Sequence, residues 1–278
     1  MGKRFGLIGH PVAHSLSPQM HNDAFKDCQI DADYVALDVE AGDLEEVTEK
    51  IRKGEIDGVN VTIPHKVAIM NFLDEIDREA ERIGAVNTIV RHNGKLVGYN
   101  TDGAGYMQSI ESYLPSNVKD MNILVIGAGG AARAVCASFL GAGVSSLVVA
   151  NRTKEKADTL LNLISTNQDQ TNAMTLSEAE NGLEKFDLIV NTTSVGMSPY
   201  TEQIPISLRK LKDKAIVSDL IYNPLETAFL KEAAESGATT VNGVGMFVNQ
   251  GALSFEYWTG IKPDRKRMTN IVLKTLGG

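Results

Sequence analysis

Ile123-Leu124-Val125-Ile126-Gly127-Ala128-Gly129-Gly130-Ala131-Ala132-Arg133-Ala134 is the stretch on which the fold turns. Four consecutive apolar residues read as a buried strand, and the Ala-rich run after the glycines reads as a helix. Between them stands a G-x-G-x-x-A pattern, which without those flanks would be an ordinary Gly-rich turn. In the strand–turn–helix setting it is the fingerprint of a dinucleotide-binding loop. Its glycines allow a tight turn and let backbone N–H groups approach a pyrophosphate, whose charge the positive end of the helix stabilises. Working outward, strands are expected at 122–126, 146–150, 188–191, 215–219 and 239–241, with helices at 131–140, 154–164 and 226–235. This is the rhythm of a doubly wound, Rossmann-type domain.

Upstream, the α/β alternation continues, with strands at 4–8, 34–39, 58–62, 86–90 and 95–99 and helices near 18–27, 43–52 and 77–83. Asn93-Gly94 between the last two strands signals a hairpin. Mainly parallel sheets are expected throughout. After a helical stretch at 103–113 the nucleotide-binding unit begins, and two helices at 246–258 and 263–276 are expected to return to the first domain. The expected fold class is therefore α/β in two domains, 1–102 with 244–278, and 103–243.

The 278 residues, 43% hydrophobic and 22% charged, suffice for two modest domains with their own cores. Lys and Arg number 27 against 35 Asp and Glu, a net charge of −8 with no basic block, so nucleic acid is not an expected partner. Cys28 and Cys136 lack CxxC partners and read as small reduced core residues in helical stretches. The N-terminus runs directly into a short strand, too brief for an export signal, and glycines with Arg133 break up the most apolar stretch, 121–151. A cytoplasmic protein without a membrane span is expected. His10, His14 and His21 are spread over a strand end, a turn and a helix, so no metal is expected.

The end of the second nucleotide-domain strand discriminates between cofactors, because a site for NAD generally places an acid there. Here it reads Val148-Val149-Ala150-Asn151-Arg152-Thr153, with Lys154 and Lys156 close behind. Arg152 offers charge-assisted hydrogen bonds to a 2′-phosphate, and no carboxylate stands in place to repel it. The residues favour NADP over NAD. Lys154 alone reads as a solvated start of a helix.

The first half carries polar residues clustered at strand ends. In Ser15-Leu16-Ser17-Pro18, Ser17 reads as a helix N-cap with Pro18 at the first helical position. Ser15 has no such role, so two hydroxyls and a helix N-terminus together suit a carboxylate. Asn60 and Thr62, in Asn60-Val61-Thr62-Ile63-Pro64-His65-Lys66, alternate with apolar neighbours and share one face. His65 reads as part of the turn beside Lys66. Gly84-Ala85-Val86-Asn87-Thr88 and Gly98-Tyr99-Asn100-Thr101-Asp102-Gly103 repeat the pattern, with Asp102 read either as a cap of the next helix or as a functional acid.

Taken in order, His14 to Pro18, Asn60 to Lys66, Gly84 to Thr88, Asn100 to Asp102, Gly127 to Ala134, Asn151 to Thr153 and Asn191-Thr192-Thr193 resemble the motifs of the shikimate dehydrogenase family. Gly196-Met197, Asp219 to Pro224 and Gly245-Met246 through Gln250 extend the likeness almost to the C-terminus. The resemblance implies reduction of 3-dehydroshikimate to shikimate by NADPH, in a cleft between a substrate-binding and an NADP-binding domain. It implies that Ser15 and Ser17 bind the substrate carboxylate with Tyr222, and that Asn60, Thr62, Lys66, Asn87, Asp102 and Gln250 surround the ring. Lys66 and Asp102 match the catalytic pair. Gly127, Ala128, Gly129, Gly130, Ala131, Asn151, Arg152, Thr153 and Lys156 match the phosphate and adenosine positions. Thr192, Ser194, Met197, Ile221, Gly243 and Met246 match positions that line the nicotinamide and adenine-ribose pocket, although Met197 and Met246 read equally well as core filler.

The chemistry fits that pairing on its own terms. Hydride reaching a ketone leaves an alkoxide to be stabilised and protonated, which a lysine ammonium can do while a carboxylate orients it. Sequence leaves both members of the pair eligible for the proton transfer. Two rivals follow: a quinate/shikimate dehydrogenase of broader specificity, disfavoured by Ser17 and Arg152, and a non-catalytic sensor of shikimate and NADP, disfavoured by the presence of both Lys66 and Asp102. The expected partners are small molecules alone, with the chain acting as a monomer or homodimer.

Overall fold

The computed structural model describes residues 2–144, 146–166 and 169–277. Strand β1, Lys3–Gly9, is buried over its last five residues and pairs parallel with β2, Ala32–Asp38, across helix α1, Ser17–Asp27. Helix α2, Leu44–Lys53, buries Leu44, Val47, Thr48 and Ile51, the i, i+3, i+4, i+7 stripe of an amphipathic helix, and ends at Gly54 in the left-handed region. Each large aliphatic side chain buried this way stabilises the fold by roughly 1.5–3 kcal/mol. Strand β3, Gly58–Val61, is wholly buried and parallel to β1. Then come β4 at Glu75–Ile76, α3 at Arg78–Ile83, β5 at Thr88–His92, β6 at Lys95–Tyr99 and α4 at Asp102–Ile110. The sheet order is β2-β1-β3-β5-β6-β4.

Three of the five pairings in this sheet are parallel, β1–β2, β1–β3 and β4–β6, while β3–β5 and β5–β6 are antiparallel. The two-residue Asn93-Gly94 turn, where both residues have positive φ, makes the β5–β6 pair a hairpin and so antiparallel. Strand β4 is absent from the sequence reading, being too short to show a period.

The second sheet follows the doubly wound plan. Strand β7, Asn122–Ile126, leads into α5, Gly130–Gly141; β8, Ser146–Ala150, into α6, Lys154–Ile164. Strand β9, Thr171–Met174, and helix α7, Leu176–Asn181, were not expected. After β10, Leu188–Asn191, come β11, Ile216–Asp219, α8, Ala228–Glu235, and β12, Thr239–Val241. All pairs are parallel in the order β12-β11-β10-β7-β8-β9. The order reverses between β7 and β10, the switch point outside which open α/β sheets bind ligands. Residues such as Leu124, Ile126, Ile189, Val217, Phe186 and Phe229 form one apolar core beneath that point.

Helix α9, Val244–Thr259, and helix α10, Arg265–Leu276, complete the chain. Two compact units result, Met1–Gly105 with Val248–Gly278, and Tyr106–Phe247, the divisions falling inside α4 and α9. In the first unit α10 packs on α1, where Arg267 forks onto Asp23 and Asp27 at 2.6 and 2.8 Å. The aromatic rings of Phe5, Phe25, Phe255 and Trp258 pack with centroids about 5 Å apart, and Trp258 donates to the Ile89 carbonyl at 3.0 Å. No helix among the described residues is long and apolar enough to cross a membrane.

Two local readings are corrected. Helix α1 begins at Ser17 itself, with Leu16 at the N-cap and no side-chain cap. Ser15 takes the local role instead, accepting the Ser17 backbone N–H and donating to its hydroxyl, both at 3.2 Å. Cys28 lies just beyond the last residue of α1 and is half-buried, so only Cys136 is a core thiol.

Candidate functional site

In the first unit four of the polar residues singled out by sequence, Asn60, Lys66, Asn87 and Asp102, converge on one hydrogen-bonded network. Lys66 follows a turn closed by His65 N–H on the Thr62 carbonyl at 2.9 Å, and the buried His65 ring bonds the Val39 carbonyl at 2.6 Å. His65 is thus an anchor of the loop. Behind Lys66, its own carbonyl accepts Val86 N–H at 2.8 Å. The ammonium Nζ reaches Asp102 Oδ2 at 2.6 Å, with side chains 17% and 5% exposed. The lysine is therefore reachable while the acid is closed in.

Asp102 is the first residue of α4, and its backbone N–H is received by Asn100 Oδ1 at 3.0 Å, so it is not the cap of its own helix. Its second oxygen accepts Asn87 Nδ2 at 2.9 Å. The Asn87 amide is fixed by its other end, where Oδ1 accepts the Thr101 backbone N–H at 2.8 Å. One carboxylate is thus held between an amide and an ammonium, the charge-assisted arrangement that gives strong, oriented bonds.

Asn60 is buried and its Oδ1 accepts the Tyr34 phenol at 2.8 Å. Burial pushes the Tyr34 hydroxyl well above the usual phenol range. Two Asn22 bonds to the Tyr34 backbone, at 2.8 and 2.9 Å, clamp it. Ser15 and Thr62 are half-buried, and Thr62 N–H pairs with the Ile8 carbonyl at 2.9 Å. Gln250 is half-buried on α9, next to Asn249, whose amide donates to the Gly105 carbonyl one helical turn beyond Asp102 at 3.4 Å. Tyr34 and Ser254 are members of the network that the sequence reading missed. Ser254 has one legible signal, lying four residues after Gln250 on the same helical face. Tyr34 has none.

In the second unit, the Gly127 turn closes with its N–H on the Ala150 carbonyl at 2.8 Å, and Thr192 N–H bonds the Ile126 carbonyl at 2.9 Å. Gly127 adopts φ +107°, and a Cβ there would lie 2.7 Å from Thr192 Oγ1. That glycine is required by the protein's own backbone. Gly129, the exposed N-cap of α5, has an ordinary φ of −89°, and a Cβ there would meet nothing within 4 Å. Nothing in the fold requires glycine at 129, and the open ground before a twelve-residue helix N-terminus fits an anion that approaches the backbone. Ala128, Gly130 and Ala131 complete the half-buried rim.

Arg152, Thr153 and Lys156 are exposed at the start of α6, and Arg152 makes no salt bridge among the described residues. Asn151 folds its amide back on the Thr153 carbonyl at 2.7 Å. An uncommitted guanidinium in that place fits a 2′-phosphate. Asn191 and Asp219 tie the neighbouring loops together: Asp219 accepts Asn191 Nδ2 at 3.1 Å, Ile221 N–H at 3.0 Å and the Thr227 hydroxyl at 2.8 Å. Burial raises the Asp219 carboxyl to about 6, and those three bonds restrain the rise. Gly243 N–H bonds the Ile221 carbonyl at 3.0 Å. Tyr222 belongs to this unit, its ring 4.3 Å from that of Phe247. Ser194 and Met197 are exposed and Met246 is buried, so the core-filler reading fails for Met197, which is 47% exposed. His21 is enclosed by aromatic rings, and among the described residues no group of three or more His, Cys, Asp or Glu could hold a metal ion.

Comparison with known proteins gives matches along the whole chain. Residues 7–89 match the model of the shikimate dehydrogenase substrate binding domain, 109–220 that of shikimate / quinate 5-dehydrogenase, and 243–273 that of the shikimate 5'-dehydrogenase C-terminal domain. A shikimate dehydrogenase (NADP(+)) of Geobacillus sp. (strain WCH70) is 51% identical over 278 residues, covering 100% of both chains. A crystal structure of a shikimate dehydrogenase in complex with NADP+ superposes with TM-score 0.92 at 44% identity, over 99% of this chain and 96% of that one. The shikimate 5-dehydrogenase of Thermus thermophilus, in complex with NADP(H) and shikimate, superposes with TM-score 0.88 at 35% identity, over 99% and 100%.

Proposed function

Because this chain belongs to the shikimate dehydrogenase family, we propose that it catalyses the reversible, NADPH-dependent reduction of 3-dehydroshikimate to shikimate. The observation that carries the reading is the Lys66–Asp102 pair, 2.6 Å apart, at the end of a buried polar network that has no structural need for a lysine. NADPH, when bound, supplies the hydride. Gly127 to Ala131 and the N-terminus of α5 would hold its pyrophosphate, Asn151, Arg152, Thr153 and Lys156 its adenosine phosphate, and Thr192, Ser194, Met197, Ile221, Gly243 and Met246 would line its nicotinamide and adenine ribose.

The remaining work falls to the chain's own groups. Ser15 and Ser17, with hydroxyls linked to each other, would bind the substrate carboxylate with Tyr222. Asn60, Thr62, Asn87 and Gln250 would take the ring hydroxyls, in a geometry fixed beforehand by Tyr34 and Thr101. Lys66 would stabilise negative charge on the carbonyl oxygen and hold a proton beside it, and Asp102 would keep the ammonium aimed there. A preformed donor gains most where charge develops, so this pair acts chiefly on the transition state. The same reading makes the protein a cytoplasmic monomer or homodimer that works on small molecules.

Nicotinamide absorbance followed with NADPH or NADH and 3-dehydroshikimate tests the reading, with quinate as the competing substrate in the oxidative direction. Turnover should favour NADPH and shikimate. Efficient oxidation of quinate with NAD+ would favour the broader dehydrogenase instead, and no turnover at all the sensor.

A further inference from the structure

Ser254 sits on α9 with its side chain fully buried, and it belongs to none of the motifs that mark the site. Its hydroxyl oxygen receives Asn60 Nδ2 at 2.8 Å, lies 2.8 Å from Thr88 Oγ1 and 3.3 Å from Thr101 Oγ1, and the hydroxyl donates to the Gln250 carbonyl at 3.0 Å. One atom thus joins β3, β5, the corner before α4 and the turn of α9 that carries Gln250.

The protons in this cluster can be counted. Asn60 Oδ1 is committed to the Tyr34 phenol, which turns Nδ2 toward Ser254. Asn87 Oδ1 is committed to the Thr101 backbone N–H and also accepts the Thr88 hydroxyl at 2.9 Å. Its Nδ2 therefore faces Thr101 Oγ1 and Asp102 Oδ1, both at 2.9 Å. A serine hydroxyl has one proton and two lone pairs. At Ser254 one lone pair takes Asn60 and the proton goes to Gln250 or Thr88, while the Thr101 hydroxyl lies within reach of both Ser254 Oγ and Asn87 Oδ1, at 3.3 and 3.2 Å. Asn60 Nδ2 also lies 3.2 Å from the Asn87 carbonyl and from Thr88 Oγ1, so Ser254 is its shortest partner, and a residue without a hydroxyl would leave the amide only the two longer bonds and free the Thr101 hydroxyl to turn wholly to Asn87 Oδ1.

We propose that Ser254 is a positioning residue of the substrate site: its hydroxyl fixes Asn60 directly, and through Thr101 and Asn87 it fixes the Asp102 carboxylate that aims Lys66. This rests on the assignment of the network to substrate and of Lys66 and Asp102 to catalysis. It adds a group that touches neither substrate nor cofactor and acts on the chemistry through two relays.

Three variants separate hydroxyl from bulk: Ser254→Ala removes the group, Ser254→Cys keeps the size with a poor acceptor, and Ser254→Thr keeps the hydroxyl. For each, kcat and KM are measured separately for shikimate and for NADP+, with the pH profile of kcat/KM and the thermal midpoint. Ala and Cys should lower kcat/KM for shikimate about 10- to 100-fold, the scale set by misplacing a reacting group by a fraction of an ångström to an ångström. KM for NADP+ should stay within about twofold, the pH profile should move, and Thr should recover most of the loss. Folded Ala or Cys variants with unchanged shikimate kinetics and pH profile would overturn the proposal, as would a Thr variant as impaired as Ala. If Ala does not fold, Cys, which fills the same space, decides. Inactive wild-type protein would defeat the assignment of function and Ser254 with it, whereas active wild type with indifferent variants defeats only the role of Ser254.

Discussion

At the scale of single residues, Arg152 carries the choice of cofactor. Hydrogen bonds to charged groups are worth about 1.5–3 kcal/mol, so Arg152→Ala should reduce the preference for NADPH over NADH by about 10- to 100-fold in kcat/KM. Steady-state kinetics with both nucleotides measure this, and an unaltered ratio would remove Arg152 from the phosphate site. The residue is legible in sequence because its position at a strand end is fixed by the glycine fingerprint 25 residues earlier, Gly127 to Arg152. Lys66 and Asp102 are legible for a similar reason, since each stands in a polar motif at the end of an apolar strand. Ser254 is legible only as a serine four residues after Gln250 on one helical face, because its partners Asn60 and Thr101 are brought to it by the fold alone. The N-cap expected at Ser17 fails for a related reason: Ser15 satisfies the Ser17 N–H at 3.2 Å, so the helix can start one residue sooner.

At the scale of elements, the loop between β7 and α5 contains two glycines with opposite needs. Gly127→Ala would be strained by φ +107° and by contact with Thr192, at a cost of about 1–3 kcal/mol in stability. Gly129→Ala meets nothing and should cost no more than about 1 kcal/mol, as at other N-caps, while raising KM for NADP+. Denaturant titration and cofactor kinetics on the two variants distinguish them; a Gly129→Ala enzyme with normal KM for NADP+ would mean that the pyrophosphate does not lie against that backbone. Long periodic elements such as α6, at Lys154–Ile164, were legible to the residue because apolar spacing alone defines them. Strand β9, Thr-Asn-Ala-Met, was not: it is an edge strand whose one buried residue is Ala173, which gives no alternation to read. Helix α7 is six residues long and is held by a Thr175–Glu178 capping box rather than by a stripe.

At the scale of the whole molecule, two buried titratable groups give the units opposite responses to acid. His21 is fully buried, its ring stacked on Tyr34 at 4.4 Å, and both ring nitrogens are without a hydrogen-bond partner among the described residues. Burial depresses it from 6.5 to about 3. The unfolded chain therefore takes up this proton first, and stability present above pH 6.5 is lost as pH falls toward 3, by about 5 kcal/mol in all. Asp219 works the other way: raised from 3.8 to about 6 by burial, it adds about 3 kcal/mol as pH falls through that window. Mild acid should thus loosen the unit that carries Lys66 before the unit that carries Gly127. Hydrogen exchange at pH 7 and pH 5 reads the two units separately, and His21→Phe should flatten the loss in the first. Equal loosening of both would contradict this assignment.

In the second sheet β7, β8, β10 and β11 were legible because each contains a short run of buried apolar residues at strand length, whereas β9 was not. The antiparallel half of the first sheet was signalled only by Asn93-Gly94. Neither sheet explains a lysine beside a buried acid, and on that pair the account depends. The most direct measurement is single-turnover reduction of 3-dehydroshikimate by NADPH with Lys66→Ala, alongside its equilibrium affinity for NADP+. Loss of the ammonium should slow the chemical step by about 10²–10⁴-fold, the usual worth of a general acid, and leave NADP+ affinity as in the wild type. A Lys66→Ala protein that reduces 3-dehydroshikimate at the wild-type rate would contradict it.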